Sequence, residues 1–292
     1  MVCKTFIPGS EWVYFKLYTG TKTADSILKN ELYGFVTEML ENDIIDKWFF
    51  IRYSDPDFHI RLRLHLKETQ NFTCLFNRFF AVFFPLTDAG FLWSIQCDTY
   101  QREMERYGIN TIVMIEELFF IDSEFSVKLL NQLNEVNPEQ QRWKFALVLI
   151  DSFLKAFSFD LLKRKELLNT MAENIRKEFG FTNHNVTKQL KDKCRFYRKE
   201  IEKTMLWESE VADNTYYIIK TRQQLIYHLA EKLKAMENSV ELKISLKTLM
   251  TSMIHMSMNR WFRTKNRLHE LVLYEFLSRY YTSETAKINN RK

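Results

Sequence analysis

Residues 48–66, with the sequence WFFIRYSDPDFHIRLRLHL, restrict the possible folds of this chain more than any other segment. From His59 to Leu66, basic and apolar residues alternate strictly, which is the two-residue period of a strand with two different faces. The turn-forming residues 54–57 precede this strand, so the segment predicts an antiparallel hairpin. One face of the second strand is then apolar, and the other carries His59, Arg61, Arg63 and His65.

This basic face has two interpretations. Two positive charges about 7 Å apart repel each other by about 2 kcal/mol at an effective dielectric constant near 20. The repulsion between Arg61 and Arg63 is therefore relieved only if water screens the two charges or an anion lies over them. The first case is a solvated outer face of a sheet. The second is a preformed clamp for a carboxylate or phosphate, because the planar guanidinium group suits bidentate anion recognition.

The remaining pattern predicts an α+β fold. With 46 % apolar residues but only 6 Gly and 4 Pro in 292 residues, the chain favours long helices joined by short loops. The first part reads in the order βαββαβ, as strand Trp12–Thr19, helix Thr23–Glu41, strands Trp48–Tyr53 and Phe58–Leu66, helix Asn71–Phe84 and strand Gly90–Arg102. This order is typical of a split βαβ arrangement, a mostly antiparallel sheet with two helices on one face.

After Gly108 the pattern is helical to the end of the chain. The predicted helices are Thr111–Ile121, Phe125–Asn134, Gln140–Phe157, Asp160–Phe179, Val186–Met205, Thr215–Met236, Glu241–Arg263 and Glu270–Tyr281. We find no Gly/Ser or Pro linker, so we expect one domain over residues 1–292 with a soft boundary near residue 109.

Charge and cysteine usage exclude several classes of protein. The net charge of +5 permits an anionic partner but is too small for a dedicated nucleic-acid binder, so no direct nucleic-acid contact is expected. The four cysteines lack the spacing of a zinc or redox site. Neither a signal peptide nor a membrane span is apparent, and we expect a cytoplasmic protein.

Three further segments could carry chemistry. Asp98–Gly108 mixes acids with arginines and contains Arg106, although charges at the end of a strand are usually solvated. Met253–Arg263 has His255 and Asn259 four residues apart on one helical face, so the amide could hold one ring nitrogen. A histidine among methionines is more often a packed core residue. In Val186–Lys203 seven lysines and arginines crowd one helix, which is typical of a solvated surface.

Five motifs in order resemble one known family. WVYFKLY, WFFIRYSDPDFHIRLRL, DTYQREMERYG, EELFFIDSE and IHMSMNRWFR followed by RLHE are similar to the C-terminal elimination domain of lantibiotic dehydratases, the SpaB C-terminal type. Free-standing members of this family occur in thiopeptide and lanthipeptide gene clusters. The resemblance covers nearly the whole chain. It implies bacteriocin biosynthesis, in which glutamate elimination from a glutamylated Ser or Thr leaves dehydroalanine or dehydrobutyrine in a precursor peptide.

The resemblance also implies the site residues. The family's functional arginines match Arg61, Arg63 and Arg106, and its functional histidine matches His255. The arginines would bind the glutamyl group and the developing oxyanion, and His255 would move the proton. No metal or organic cofactor is required. Further candidates for substrate binding are Arg52, His59, Asn259 and Arg260. Because we take the arginines to line a surface, we expect Arg61→Ala and Arg63→Ala to leave folding intact.

The implied partners are a glutamylated precursor peptide and a separate subunit for tRNA-dependent glutamylation, with a homodimer also possible. Two alternatives stay open at this point. The first is a pyridine-forming enzyme, because relatives with the same fold join two dehydroalanines in a [4+2] cycloaddition. The second is a non-catalytic subunit that binds the precursor peptide.

Overall fold

The computed structural model divides the chain into two compact units. The first comprises Met1–Gln132 with Met236–Ser245, and the second comprises Leu133–Ala235 with Leu246–Lys292. The structure describes residues 2–134, 136–181, 184–206, 214–239 and 241–290. The first unit extends beyond the predicted boundary near residue 109, because a long helix after that point packs against the sheet.

The first unit contains six strands in two sheets. The strands are β1 (Thr5–Phe6), β2 (Trp12–Tyr18), β3 (Ile45–Ser54), β4 (Phe58–Leu66), β5 (Ser94–Asp98) and β6 (Tyr100–Gln101). Four of them form an antiparallel sheet in the order β3-β4-β2-β5, and β1 pairs with β6 separately. The four-stranded order, with β4 between β3 and β2, confirms the predicted split βαβ arrangement.

Two helical segments cover the apolar face of the four-stranded sheet. The first runs through α1 (Thr23–Ile27), a π-helical turn and α2 (Tyr33–Glu41), and the second is α3 (Phe72–Asp88). Phe79 of α3 stacks on Phe15 of β2 with ring centroids 3.9 Å apart. Phe35 of α2 contacts the Phe79 ring edge-on. Leu62 and Leu64 of β4 are completely buried. The alternation in β4 thus directs its apolar residues into this core, as predicted.

The first unit is completed by α4 (Met104–Tyr107) and α5 (Ile112–Leu130). Helix α5 lies along the outer edge of β3. The Trp48 indole donates a hydrogen bond to Glu124 at 2.8 Å, and the Phe50 backbone N–H donates to the Ser123 hydroxyl at 3.2 Å. Covering an edge strand with a helix prevents it from pairing with other chains.

Among its described residues, the second unit contains helices joined by short connections and no strand. Its helices are α6 (Pro138–Ala156), α7 (Leu161–Glu178), α8 (His184–Phe196), α9 (Arg198–Leu206), α10 (Asn214–Asn238), α11 (Leu246–Trp261) and α12 (Asn266–Asn289), and the last residues of α10, from Met236, belong to the first unit. Asp160 caps α7 by accepting a hydrogen bond from the Lys163 N–H at 2.8 Å. Strands followed by a mainly helical part confirm the α+β prediction. Across the described ranges of both units, no helix is apolar and long enough to span a membrane.

Candidate functional site

Strand β4 holds the predicted arginines in the middle of the sheet. The register pairs Arg61 with Lys16 of β2 and Ile51 of β3, and it pairs Arg63 with Tyr14 and Phe49 on the same two strands. Paired residues of antiparallel strands point to the same face of the sheet. Arg61 and Arg63 therefore share a face with aromatic and charged neighbours, opposite the apolar core.

Arg63 lies inside a cage of aromatic rings. Its guanidinium carbon is 4.7 Å from the ring centroid of Tyr14, 4.8 Å from that of Tyr100 and 5.2 Å from that of Phe49. The residue is only 9 % exposed, and its buried Nε has no hydrogen-bond partner in the described part of the chain. A solvated outer face does not describe this position, because Arg63 is largely withdrawn from water.

Arg61 is half-buried and stacks on Tyr53, with 3.4 Å between the guanidinium carbon and the ring centroid. Its Nε donates a hydrogen bond to Nε2 of His59 at 3.1 Å. Within the described ranges, neither Arg61 nor Arg63 has a carboxylate within 4.0 Å. Among the described residues, these two cations of one strand therefore have no carboxylate at salt-bridge distance.

His59 orients Arg61. Its Nδ1 lies 2.8 Å from the carbonyl oxygen of Asp57, which can only accept, so Nδ1 carries the proton and Nε2 accepts from Arg61. The imidazole is completely buried. Burial, together with the charge of Arg61, lowers the pKa of His59, although the hydrogen bond to Asp57 opposes the shift. His59, predicted to bind substrate, thus contacts the candidate site through Arg61.

A lysine and an aspartate lie beside Arg61 on the same face. Lys16 forms an ion pair of 2.5 Å with Asp98, and this hydrogen bond lowers the pKa of Asp98. Burial raises the pKa of Tyr14, so its phenol stays neutral although the charges of Arg63 and Arg61 oppose the shift. The face therefore has an excess of positive charge.

The ring of Tyr100, one wall of the cage, is fixed from behind. Its hydroxyl donates to Glu116 of α5 at 2.8 Å, and Arg102 makes two bonds of 2.6 Å to the same carboxylate. Glu116 is 1 % exposed. These residues belong to the sequence motifs, but no role was predicted for them. The two-residue spacing of Trp12 and Tyr14 in WVYFKLY could have indicated an aromatic face shared with Arg63.

Arg106, the third predicted arginine, lies on α4 with 36 % of its side chain exposed. It forms an ion pair of 3.2 Å with Glu103 and stacks on Tyr107. The rings of Tyr107 and Phe119 are 5.4 Å apart, as are those of Phe119 and Phe49. A row of aromatic contacts therefore connects Arg106 to the cage around Arg63.

Arg52, a predicted substrate-binding residue, does not share the basic face. The register pairs it with Ile60, so its side chain points to the helix-covered side of the sheet. There it forms an ion pair of 2.6 Å with Asp25, and both side chains are buried. The prediction overlooked that Arg52 pairs with Ile60, the residue before Arg61. Successive residues of a strand point to opposite faces, so Arg52 and Arg61 lie on opposite faces of the sheet. This burial fits a structural role.

In the second unit, His255 lies on α11 with its side chain 28 % exposed. Its Nδ1 is 2.8 Å from Glu270 of α12, which is completely buried. The other oxygen of Glu270 accepts hydrogen bonds from Arg267 at 2.9 Å and from the Tyr274 hydroxyl at 3.0 Å. A carboxylate that accepts from Nδ1–H leaves the lone pair of Nε2 available as a base.

Helical spacing had indicated Asn259 as the partner of one His255 nitrogen. The structure gives Nδ1 to Glu270 instead, because α12 brings a carboxylate to it from fifteen residues further along the chain. Asn259 is half-buried, whereas Arg260 is completely buried. Full burial of Arg260 fits packing within the second unit better than contact with a substrate. Across the described residues of both units, no group of three or more His, Cys, Asp or Glu could hold a metal ion.

Known proteins are similar to this chain in sequence or in fold. The family model described as lantibiotic biosynthesis dehydratase C-term matches residues 12–281. The chain is 24 % identical over 291 residues to the subtilin biosynthesis protein SpaB of Bacillus subtilis, covering 97 % of this chain and 27 % of that protein. It is also 24 % identical over 282 residues to the nisin biosynthesis protein NisB of Lactococcus lactis subsp. lactis, covering 95 % and 26 %. The chain thus spans about a quarter of the length of these relatives.

Two solved structures have a similar fold. The tRNA-dependent lantibiotic dehydratase MibB from Microbispora sp. 107891 aligns with a TM-score of 0.70 at 18 % identity, covering 97 % of this chain and 29 % of that one. The pyridine synthase TbtD from thiomuracin biosynthesis aligns with a TM-score of 0.68 at 13 % identity, covering 96 % and 100 %. Since the family model covers nearly all of the sequence, the chain belongs to the C-terminal family of lantibiotic biosynthesis dehydratases.

Proposed function

We propose that this chain eliminates glutamate from glutamylated Ser and Thr residues of a precursor peptide, leaving dehydroalanine or dehydrobutyrine. A separate subunit would attach the glutamyl group from glutamyl-tRNA. Family membership supports a role in lanthipeptide or thiopeptide biosynthesis. One observation carries the choice of elimination: Arg61 and Arg63 keep two positive charges on one strand without a carboxylate at salt-bridge distance in the described chain.

The reaction has two charge requirements that these arginines meet. A base removes the proton from Cα, the electron pair forms the Cα–Cβ double bond, and the Cβ–O bond breaks to release the glutamate carboxylate. Negative charge develops on the carbonyl oxygen next to Cα and on the leaving carboxylate. Guanidinium groups stabilise both oxygens without losing a proton, since arginine stays charged in proteins.

The aromatic cage keeps water away from the Arg63 guanidinium, and this strengthens its attraction to a nearby anion. In a site with little water, electrostatic attraction to a developing oxyanion is larger than in bulk solvent. The rings of Tyr14, Phe49 and Tyr100 hold the guanidinium in place and offer no competing anion. We assign Arg61, held by His59, and Arg106 to the glutamyl group, while the division of labour among the three arginines stays a prediction.

His255 is the proposed base. The Glu270 carboxylate fixes its tautomer through Nδ1, so Nε2 would accept the Cα proton. Arg267 and Tyr274 hold Glu270 in turn, which limits rotation of the imidazole. Asn259, one helical turn after His255, stays a candidate for substrate contact.

A second candidate function is pyridine formation by cycloaddition. The observation that favours it is the fold, because the pyridine synthase TbtD aligns with nearly all of this chain. That reaction joins two dehydroalanines and needs no group that binds a glutamyl carboxylate. Arg61 and Arg63, which have no carboxylate at salt-bridge distance among the described residues, therefore favour elimination.

Glutamate release from a synthetic peptide with one glutamylated serine tests the proposal. We expect the wild-type chain to release one free glutamate for each dehydroalanine formed, and His255→Ala to lose at least about a hundredfold in rate. Arg78→Ala provides a matched control, because Arg78 lies on α3 in an exposed ion pair with Glu38 and should leave the rate unchanged. If the folded wild-type protein releases no glutamate, the assignment is wrong.

A further inference from the structure

Strand β5 forms one edge of the four-stranded sheet. The opposite edge strand, β3, is covered by α5 through the bonds of Glu124 and Ser123. In the described part of the chain, β5 pairs with β2 alone, so its outer backbone groups have no strand partner. An uncovered edge strand is a template for pairing with another chain.

An apolar groove runs beside this edge, between β5 and α3. Its volume is about 330 Å³, and it is lined mainly by Phe76, Phe80 and Phe84 of α3 with Ile95 and Cys97 of β5. Phe80 is 63 % exposed and Phe84 is 52 % exposed. Trp93, directly before β5, is 54 % exposed. Clustered exposed aromatic residues beside a free edge mark an interaction surface.

We propose that β5 pairs with β5 of a second copy, forming a dimer with a continuous eight-stranded sheet. Antiparallel pairing of identical strands places a two-fold axis at the central residue, Gln96. Ile95 would then face the partner's Cys97, and Ser94 would face the partner's Asp98. No like charges oppose each other in this register, and Lys16 already neutralises each Asp98.

A second copy fits this surface better than an isolated peptide strand does. A two-fold axis perpendicular to the sheet puts both copies of α3 on the same side of it. Phe80 and Phe84 would then meet their own symmetry mates, whereas a single strand would cover only the edge and the floor of the groove. Among the described residues that line the groove, only the Cys97 thiol is ionisable, so no like charges would meet inside it. This dimer is independent of the elimination reaction.

Sedimentation velocity of the full chain tests the proposal. We expect the wild type to sediment as a particle of twice 35.3 kDa at micromolar concentration, and Phe84→Asp to weaken dimerisation at least about tenfold. Gln96→Lys should do the same without touching the groove, because it opposes two positive charges across the axis. Phe196→Asp on α8, where the phenylalanine is 81 % exposed, is the control and should leave the dimer intact.

Disulfide trapping tests the register. In a background of Cys3→Ser, Cys74→Ser and Cys97→Ala, Gln96→Cys should form a covalent dimer on oxidation, and Gln101→Cys on β6 should not. A wild-type chain that stays monomeric, or a dimer unaffected by both Phe84→Asp and Gln96→Lys, would overturn the proposal. Monomers that instead bind a precursor peptide or a glutamylating subunit through Phe84 would also overturn it.

Discussion

Arg63 combines two properties that are usually opposed, a permanent charge and an almost dry environment. Burying a cation is unfavourable unless other groups compensate for lost hydration. Three aromatic faces supply part of this compensation, because a desolvated cation–π contact contributes about 2 kcal/mol or more. The Nε of Arg63 also has no hydrogen-bond partner in the described structure. An anion bound next to the guanidinium would therefore compensate for the lost hydration.

Arg61 and Arg63 differ in burial, so we expect their substitution to change the free energy of unfolding by different amounts. The expectation that both line a surface applies to the half-buried Arg61, but Arg63 is enclosed. We predict that Arg63→Ala lowers the free energy of unfolding by about 1–3 kcal/mol, since it empties the aromatic cage. Arg61→Ala should change it by less than about 1 kcal/mol. Urea unfolding of both variants checks this, and equal losses would contradict the cage.

His59 makes stability depend on pH. Its pKa is lowered in the folded state by burial, so the unfolded chain binds the proton more tightly. The stability that neutral His59 supplies is present above the ordinary value of 6.5 and declines as the pH falls from there through the lowered folded pKa. We predict that the wild type loses more stability between pH 7.5 and pH 5 than His59→Gln does. Parallel losses in urea titrations would refute this role.

At the scale of elements, strict alternation was the most reliable signal. The predicted strand Phe58–Leu66 has the observed bounds of β4, because each apolar residue has a buried position on one face. The predicted strand Gly90–Arg102 is interrupted at Thr99, since Tyr100 and Gln101 leave the sheet to pair with Phe6 and Thr5. A two-residue strand such as β1 has too short a pattern to be read from sequence.

Helix prediction failed where tertiary contacts override local patterns. The predicted helices Thr111–Ile121 and Phe125–Asn134 are separated at 122–124, yet α5 continues through this polar stretch. Asp122 and Ser123 are buried there, and Glu124 receives the Trp48 indole N–H. The predicted helix Val186–Met205 is instead two helices, α8 and α9, which break at Tyr197. The partner of His255 was missed for the same reason, because Glu270 comes from another helix.

The contact between β6 and α5 can be tested by comparing substitutions at two adjacent glutamates of α5. Glu116→Gln removes the charge that Arg102 and Tyr100 need, so we expect the free energy of unfolding to fall by about 3–5 kcal/mol. Glu117→Gln, one residue further along α5, loses only a weak exposed contact of 4.0 Å to Lys47 and should change stability by less than about 1 kcal/mol. Similar losses in urea unfolding would show that the buried pair has no special role.

For the whole molecule, the fold alone does not choose a reaction. A lantibiotic dehydratase and a pyridine synthase both align with this chain over nearly its full length. Function has to be argued from side chains placed on such a shared fold. The proposed elimination rests on the basic face of β4, where Arg61 and Arg63 lie side by side.

Substrate choice tests this account most directly. The wild-type chain is given equal amounts of a glutamylated peptide and of a peptide with two dehydroalanines spaced for ring closure, and both are followed by mass spectrometry. We predict that the glutamylated peptide loses glutamate while the second peptide stays unchanged. Formation of a pyridine ring with no release of glutamate would contradict the proposed elimination.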